Sequence, residues 1–177
     1  RAATASRLEG RRVLVLAGPT RYPIDAIRYV SNRASGRIGY WLAKEAFYRG
    51  CRVTVVYGPG TVEFPRYVRV VEASTTEDML RETLAELEGG DYDIAIFSAA
   101  ILDFKPSRRL EEKVRSGRKW VVELVPTPKV VDEVRRRHPD LFLVAFKLEY
   151  RASREELVRR ARELMERVRA GVVVAND

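Results

Sequence analysis

One cysteine and one histidine stand among the 177 residues, and both scarcities exclude chemistry. With Cys51 alone, no disulfide forms within the chain, which points to a cytoplasmic setting. A catalytic cysteine would need His138 as its base. Cys51 instead follows Gly50 and leads into the strand-like RVTVVY, the position of a structural thiol. No run reaches the roughly 18 apolar residues of a membrane span, and Arg1 to Arg12 lacks the apolar core of a signal peptide. Lysine is scarce as well: six of the 33 basic residues are Lys and the rest are Arg. The net charge of +8 invites a nucleic-acid reading. The arginines, however, are interleaved with glutamates along helices, as in REELVRRARELMERVR, which is an ion-paired, solvated face. Neither nucleic acid nor membrane is expected as a partner, and a basic cleft would suit small anionic substrates.

What is present fits one globular domain over 1–177. The composition is 46% hydrophobic and 33% charged, and a chain of this size buries roughly 70% of its unfolded surface. RAATASRLEGRR has the character of a linker's tail, so 1–10 reads as a linker-like start.

VLVLA (Val13 to Ala17) and RVTVVY (Arg52 to Tyr57) are continuous apolar runs, the pattern of strands buried on both faces. Between them, a helix from Gly36 carries Ile38, Leu42 and Ala46 at four-residue spacing, with Trp41, Ala43 and Phe47 beside them. YVRVVEA (Tyr67 to Ala73) makes a third strand, and Ser74 with Glu77 suggests a capping box for the helix after it. DIAIFS (Asp93 to Ser98) is the fourth strand. Residues 104–119 are too polar for core, WVVELV (Trp120 to Val125) is strand-like, and Thr127-Pro128 offers an N-cap and first-turn pair. LFLVAF (Leu141 to Phe146), a helix capped by Ser153 and Glu156, and VVVA (Val172 to Ala175) complete the chain. Strands alternating with helices predict an α/β fold: a three-layer, doubly wound, Rossmann-like, mostly parallel sheet with a flap inserted at about 104–120.

The longest loop runs from Gly18 to Gly39, GPTRYPIDAIRYVSNRASGRIG, with no regular structure expected in it. A loop of that length in a compact domain is functional or disordered. Gly36 and Gly39 at a helix start admit an anion to the backbone amides, or else serve close helix–strand packing. G-x-G-x-x-G does not follow the first strand, and the second ends in Tyr57-Gly58 rather than an acid, which disfavours an NAD(P)-dependent reductase without removing it as the alternative. Asn32, between Arg28 and Arg33, is either an amide donor to an oxyanion or an Asx-turn residue. Asp103 suits a ribose, a base, magnesium or a turn. Lys113, with Arg115 and Arg118, is either a flap cation for a triphosphate or an ordinary solvated charge.

Taken together, GPTRYPID (Gly18 to Asp25), SNRASGRIG (Ser31 to Gly39), AAILDF (Ala99 to Phe104), KVR (Lys113 to Arg115), TPKVV (Thr127 to Val131) and VAND (Val174 to Asp177) resemble, in order, the hallmark segments of phosphopantothenoylcysteine synthetases. The resemblance implies a ligase that uses CTP and Mg2+ to join phosphopantothenate and L-cysteine. An acyl-cytidylate forms with release of pyrophosphate, and CMP leaves when the amide forms, a step of coenzyme A biosynthesis. It further implies a homodimer, a family tail continuing past 177, and fusion to a flavin-dependent decarboxylase.

By the same resemblance Asn32 holds the acyl intermediate and Lys113 is the flap lysine, while Ser35, Gly36, Gly39 and Asn176 bind the acyl substrate. The nucleotide falls to Phe97, Ser98, Ala99, Asp103, Lys113, Pro128, Lys129, Val130, Val131 and Phe146. No metal ligand is assigned. The chain departs from the family pattern at Tyr22, Ala34, Lys129 and the Arg115-Ser116 pair, and at Leu164 and Val168, where lysines are common and Arg160 or Arg167 would substitute.

Overall fold

The structure is a computed structural model describing residues 7–177. The first six residues of the linker-like start lie outside the described residues. In chain order the elements are β1 (Arg12–Ala17), β2 (Arg21–Pro23), β3 (Tyr29–Ser31), α1 (Arg37–Tyr48), β4 (Arg52–Tyr57), β5 (Arg69–Glu72), α2 (Thr76–Gly89), β6 (Ile94–Phe97), β7 (Phe104–Pro106), β8 (Leu124–Pro126), α3 (Val130–Arg137), β9 (Phe142–Leu148), α4 (Arg154–Val168) and β10 (Val172–Asn176).

Six strands form one sheet in the order β10-β9-β6-β1-β4-β5, and every pairing in it is parallel. The central strands are apolar throughout because both of their faces are covered. Val13, Val15 and Ala17 of β1 pack with Ala43 and Ala46 of α1. Leu14 and Leu16 face a second core built with Met79, Leu84 and Leu87 of α2, Val130 and Val134 of α3, and Val168 of α4. The expected three-layer, doubly wound fold is therefore present, with α1 on one face and α2, α3 and α4 on the other.

The chain runs outward from β1 through β4 to β5, then returns to β6 and runs outward the other way. Ligands of such sheets bind where the direction reverses, beyond the strands' carboxyl ends. Here that point lies between β1 and β6. Backbone bonds close it: Ala100 N donates to Gly18 O at 2.9 Å and Thr20 N to Ala100 O at 3.2 Å.

Several local expectations shift. The Gly18–Gly39 loop is not without regular structure, since β2 and β3 pair antiparallel within it, Arg21 opposite Ser31. The flap is the tip of a second hairpin, β7 with β8, so WVVELV contributes only its last residues to a strand. The capping box of α2 is Thr75 with Asp78, not Ser74 with Glu77. Helix α3 starts at Val130 with Lys129 as N-cap, later than Thr127-Pro128 suggested. Helix α1 buries Gly39, Ala43 and Ala46, whereas Ile38 and Trp41 are more than half exposed.

Candidate active site

A cavity of about 210 Å³ opens at the carboxyl ends of β6 and β9. Its wall brings together Phe97, Ala99, Asp103, Pro128, Lys129, Val130, Val131 and Phe146, eight of the ten positions singled out for a nucleotide. They come from the end of β6, the turn after it, the start of α3 and β9. Asp103 is the only acidic residue in the wall, and Lys129 Nζ donates to its Oδ1 at 2.6 Å. The Asp103 backbone carbonyl accepts from Thr127 N at 2.9 Å, so the two loops lining the cavity are tied together.

Two of the ten lie elsewhere. Ser98 donates through Oγ to Leu16 O at 2.8 Å and locks β6 to β1. Lys113 is exposed on the flap and is not among the residues lining the cavity.

Asn32 sits on the other side of the reversal point. Its side-chain amide donates to Ala100 O at 2.9 Å, one residue beyond the cavity-lining Ala99. A side-chain amide has two N–H donors and an acceptor oxygen, so this bond orients the group and leaves capacity for a substrate. Gly36 is the N-cap of α1 at φ 88°, and having no side chain it makes no cap bond of its own. A helix N-terminus of this kind favours anions. Ser35 Oγ accepts from Arg37 N at 3.3 Å. Gly39 lies where a Cβ would overlap that of Ala17, so it serves close helix–strand packing. Asn176 ends the edge strand β10, and its backbone carbonyl accepts from Glu149 N at 3.0 Å.

Tyr57, at the end of β4, organises the glycine turns. Its hydroxyl donates to Ser35 O at 3.2 Å and accepts from Val62 N at 3.1 Å. A Cβ on Gly18 would come within 2.8 Å of its ring, and one on Gly36 within 2.7 Å. The ring thus packs between the glycine turn after β1 and the start of α1, beside a hollow of about 530 Å³ lined by Tyr57, Gly58, Gly60, Glu72 and Asp78.

Residues 8–177 match the family of the DNA/pantothenate metabolism flavoprotein C-terminal domain. The chain belongs to that family. It is 44% identical over 170 residues to Coenzyme A biosynthesis bifunctional protein CoaBC of Thermococcus kodakarensis, covering 96% of this chain and 42% of that protein. The same-named protein of Methanocaldococcus jannaschii is 36% identical over 169 residues, covering 96% of this chain and 41% of its own length. The chain therefore spans about two-fifths of the curated relatives it matches. A crystal structure of the C-terminal domain of Coenzyme A biosynthesis bifunctional protein CoaBC superposes with a TM-score of 0.83 at 28% identity. That match covers 97% of this chain and 80% of the other.

The cavity also takes in residues the motif reading had not named as its wall: Ile101, Ala145, Lys147 and Arg167. Lys147 was detectable as the first charge after the apolar run of β9. Arg167 faces the cavity from α4, where it pairs with Asp132. An adjoining hollow of about 250 Å³ shares Lys147, Leu164 and Arg167 with the cavity and adds Arg160 and Glu163. Leu164 lines the cavity, and Val168 is 1% exposed and part of the core. Of the two arginines expected to substitute there, Arg167 lines the cavity and Arg160 lines only the adjoining hollow. Among the described residues no helix is long and apolar enough to cross a membrane.

Proposed function

We propose that this domain is a phosphopantothenate–cysteine ligase of coenzyme A biosynthesis that uses CTP. The observation that carries the reading is the convergence of eight of the ten residues expected to bind the nucleotide on one cavity whose wall continues, through Ala99 and Ala100, to Asn32. A nucleotide in the cavity and an acyl group at Asn32 would meet at that junction.

The reaction has two displacements. A carboxylate oxygen of phosphopantothenate attacks the α-phosphorus of CTP, and pyrophosphate leaves. The amine of L-cysteine then attacks the acyl carbon, CMP leaves, and an amide remains. Phe97, Val130 and Val131 offer apolar wall for the base and ribose, with Asp103 and Lys129 at its rim. Lys147, Arg160 and Arg167 face the side where phosphates would extend. Asn32 orients the acyl group and donates to the oxyanion that develops during amine attack, a kind of stabilisation often large in acyl transfer.

Magnesium fits this chemistry without a dedicated cage. Among the described residues there is no group of three or more His, Cys, Asp or Glu placed to hold a metal ion. Magnesium commonly needs only one or two carboxylates beside substrate phosphates, and Asp103 is the carboxylate available in the wall. When bound it would neutralise phosphate charge. The same reading makes the domain a homodimer and part of a bifunctional chain with a decarboxylase. The lack of G-x-G-x-x-G after β1 disfavours the reductase alternative.

The test is incubation with phosphopantothenate, L-cysteine, Mg2+ and either CTP or ATP, with pyrophosphate and the amide product measured. CTP-dependent formation of both is expected, and their absence with either nucleotide would sink the proposal. Lys147→Ala and Arg167→Ala should each weaken CTP binding about tenfold, the scale of losing one charge-assisted hydrogen bond.

A further inference from the structure

Asp25 is a buried carboxylate on a surface loop. Its side chain is 0% exposed, and it accepts from Ile27 N at 2.9 Å, Arg28 N at 2.6 Å, Arg28 Nε at 2.9 Å and Arg28 Nη2 at 2.5 Å. These bonds are local and would shape the turn between β2 and β3 with no flap present. A fifth is not local: Val114 N, 89 residues away, donates to Asp25 Oδ2 at 3.2 Å. Arg28 Nη2 returns the contact by donating to Val114 O at 2.9 Å. One ion pair therefore holds both backbone polar groups of the residue that follows Lys113.

Two more flap residues land on the same turn. Leu110 N donates to Ile24 O at 3.1 Å, and the Arg28 guanidinium lies 4.6 Å from the centre of the Trp120 ring. Residues 107–123 contribute no buried side chain. With little apolar area to hold it, the flap's position depends on these few polar contacts. Segments of that sort are the first to open, and a charged acceptor makes the strongest of such bonds.

We infer that Asp25, with Arg28, is a latch that docks the flap and thereby fixes where Lys113 stands. Asp25 is a positioning residue, acting through Val114. The catalytic consequence rests on the ligase reading above, with Lys113 in the flap role that the family resemblance implies; the docking itself does not.

The experiment uses the full chain in a Trp41→Phe background, so that Trp120 is the one remaining tryptophan. It compares Asp25→Asn with Val114→Pro, which removes the donor while leaving Asp25 intact and lies outside the core. Limited trypsin digestion, with fragments identified by mass, reads cleavage between Arg108 and Lys119. Both variants should be cut there at least about tenfold faster than the parent, since cleavage tracks the open population, and both should change Trp120 emission. Unchanged cleavage and emission in both variants overturn the latch. In the ligase assay, kcat for pyrophosphate release should fall about tenfold with the KM for phosphopantothenate unchanged, the loss expected when one catalytic group is misplaced. Faster cleavage with unchanged kcat would overturn the positioning of Lys113. A parent protein without ligase activity would refute the ligase reading, and the latch would then be judged on cleavage and emission alone.

Discussion

The side-chain amide of Asn32 donates to the carbonyl of Ala100 at 2.9 Å, across the point where the winding of the sheet reverses. That bond joins the glycine-rich loop to the turn after β6, one residue beyond Ala99 in the cavity wall. Truncating Asn32 removes a donor from the acyl side and leaves the cavity wall intact. Asn32→Ala should therefore lower turnover by about 10²–10³, the cost of losing an oxyanion donor, while CTP affinity changes by less than about threefold. Equal losses in turnover and in CTP affinity, the latter read by titration calorimetry, would refute the assigned role.

Arg135 is 6% exposed and, among the described residues, faces no carboxylate at hydrogen-bonding distance. Its guanidinium donates instead to the backbone carbonyls of Val168, His138, Pro139, Leu141 and Arg169, which closes the end of α4 and the turn before β9. Burial pushes its pKa down, and the nearby Arg169 pushes the same way. Arginine stays protonated even so. Lysine cannot reproduce the planar fork, and each abandoned buried carbonyl costs about 1–3 kcal/mol. Arg135→Lys should lower the thermal midpoint by about 10 °C, given about 2–4 °C per kcal/mol at this chain length. A shift below about 2 °C in differential scanning calorimetry would show that water replaces the fork.

The Asp25 carboxyl is held well below the usual carboxylate range. Hydrogen bonding from the Arg28 side chain is the main cause, burial opposes it, and the backbone N–H groups of Arg28, Ile27 and Val114 add to it. A carboxylate that stays charged in the folded state, while its unfolded counterpart takes a proton near pH 4, stabilises the fold fully above about that pH. The stabilisation is lost as pH falls below about 4 toward the folded value. Asp78, Asp93, Glu77 and Glu149 are lowered as well, so other acid-sensitive groups remain when Asp25 is changed. Asp25→Asn should consequently flatten, without abolishing, the fall of the thermal midpoint between about pH 5 and pH 2.5. Parallel curves for the two proteins would contradict it.

Much of the fold is visible in VLVLA, RVTVVY and LFLVAF, because a strand covered on both faces needs an apolar residue at nearly every position. Where the local reading failed, a distant partner had taken the residue concerned. Glu77 was expected to cap α2, but it accepts from the Tyr22 hydroxyl and from Lys105 Nζ at 2.5 Å, and the cap passes to Thr75 and Asp78. Thr127 was expected to open α3. Its hydroxyl instead donates to Leu102 O at 2.5 Å, which leaves Lys129 at the helix start. In α1, the expected Ala43 and Ala46 are buried, but the larger Ile38 and Trp41 are not. The helix approaches β1 so closely that small size decides the buried face, and Gly39, Ala43 and Ala46 occupy it.

The candidate site divides the same way. Its residue types and their order stand in the sequence, since a glycine-lined helix start and loops after apolar strands are local patterns. Only the tertiary structure decided that Ala99, Val130 and Phe146 share one cavity, that Asn32 reaches Ala100 across 68 residues, and that Asp25 reaches Val114 across 89. Those meetings depend on the strand order of the sheet and on how the β7–β8 hairpin folds back, and contacts at such separations leave no periodic trace in the chain.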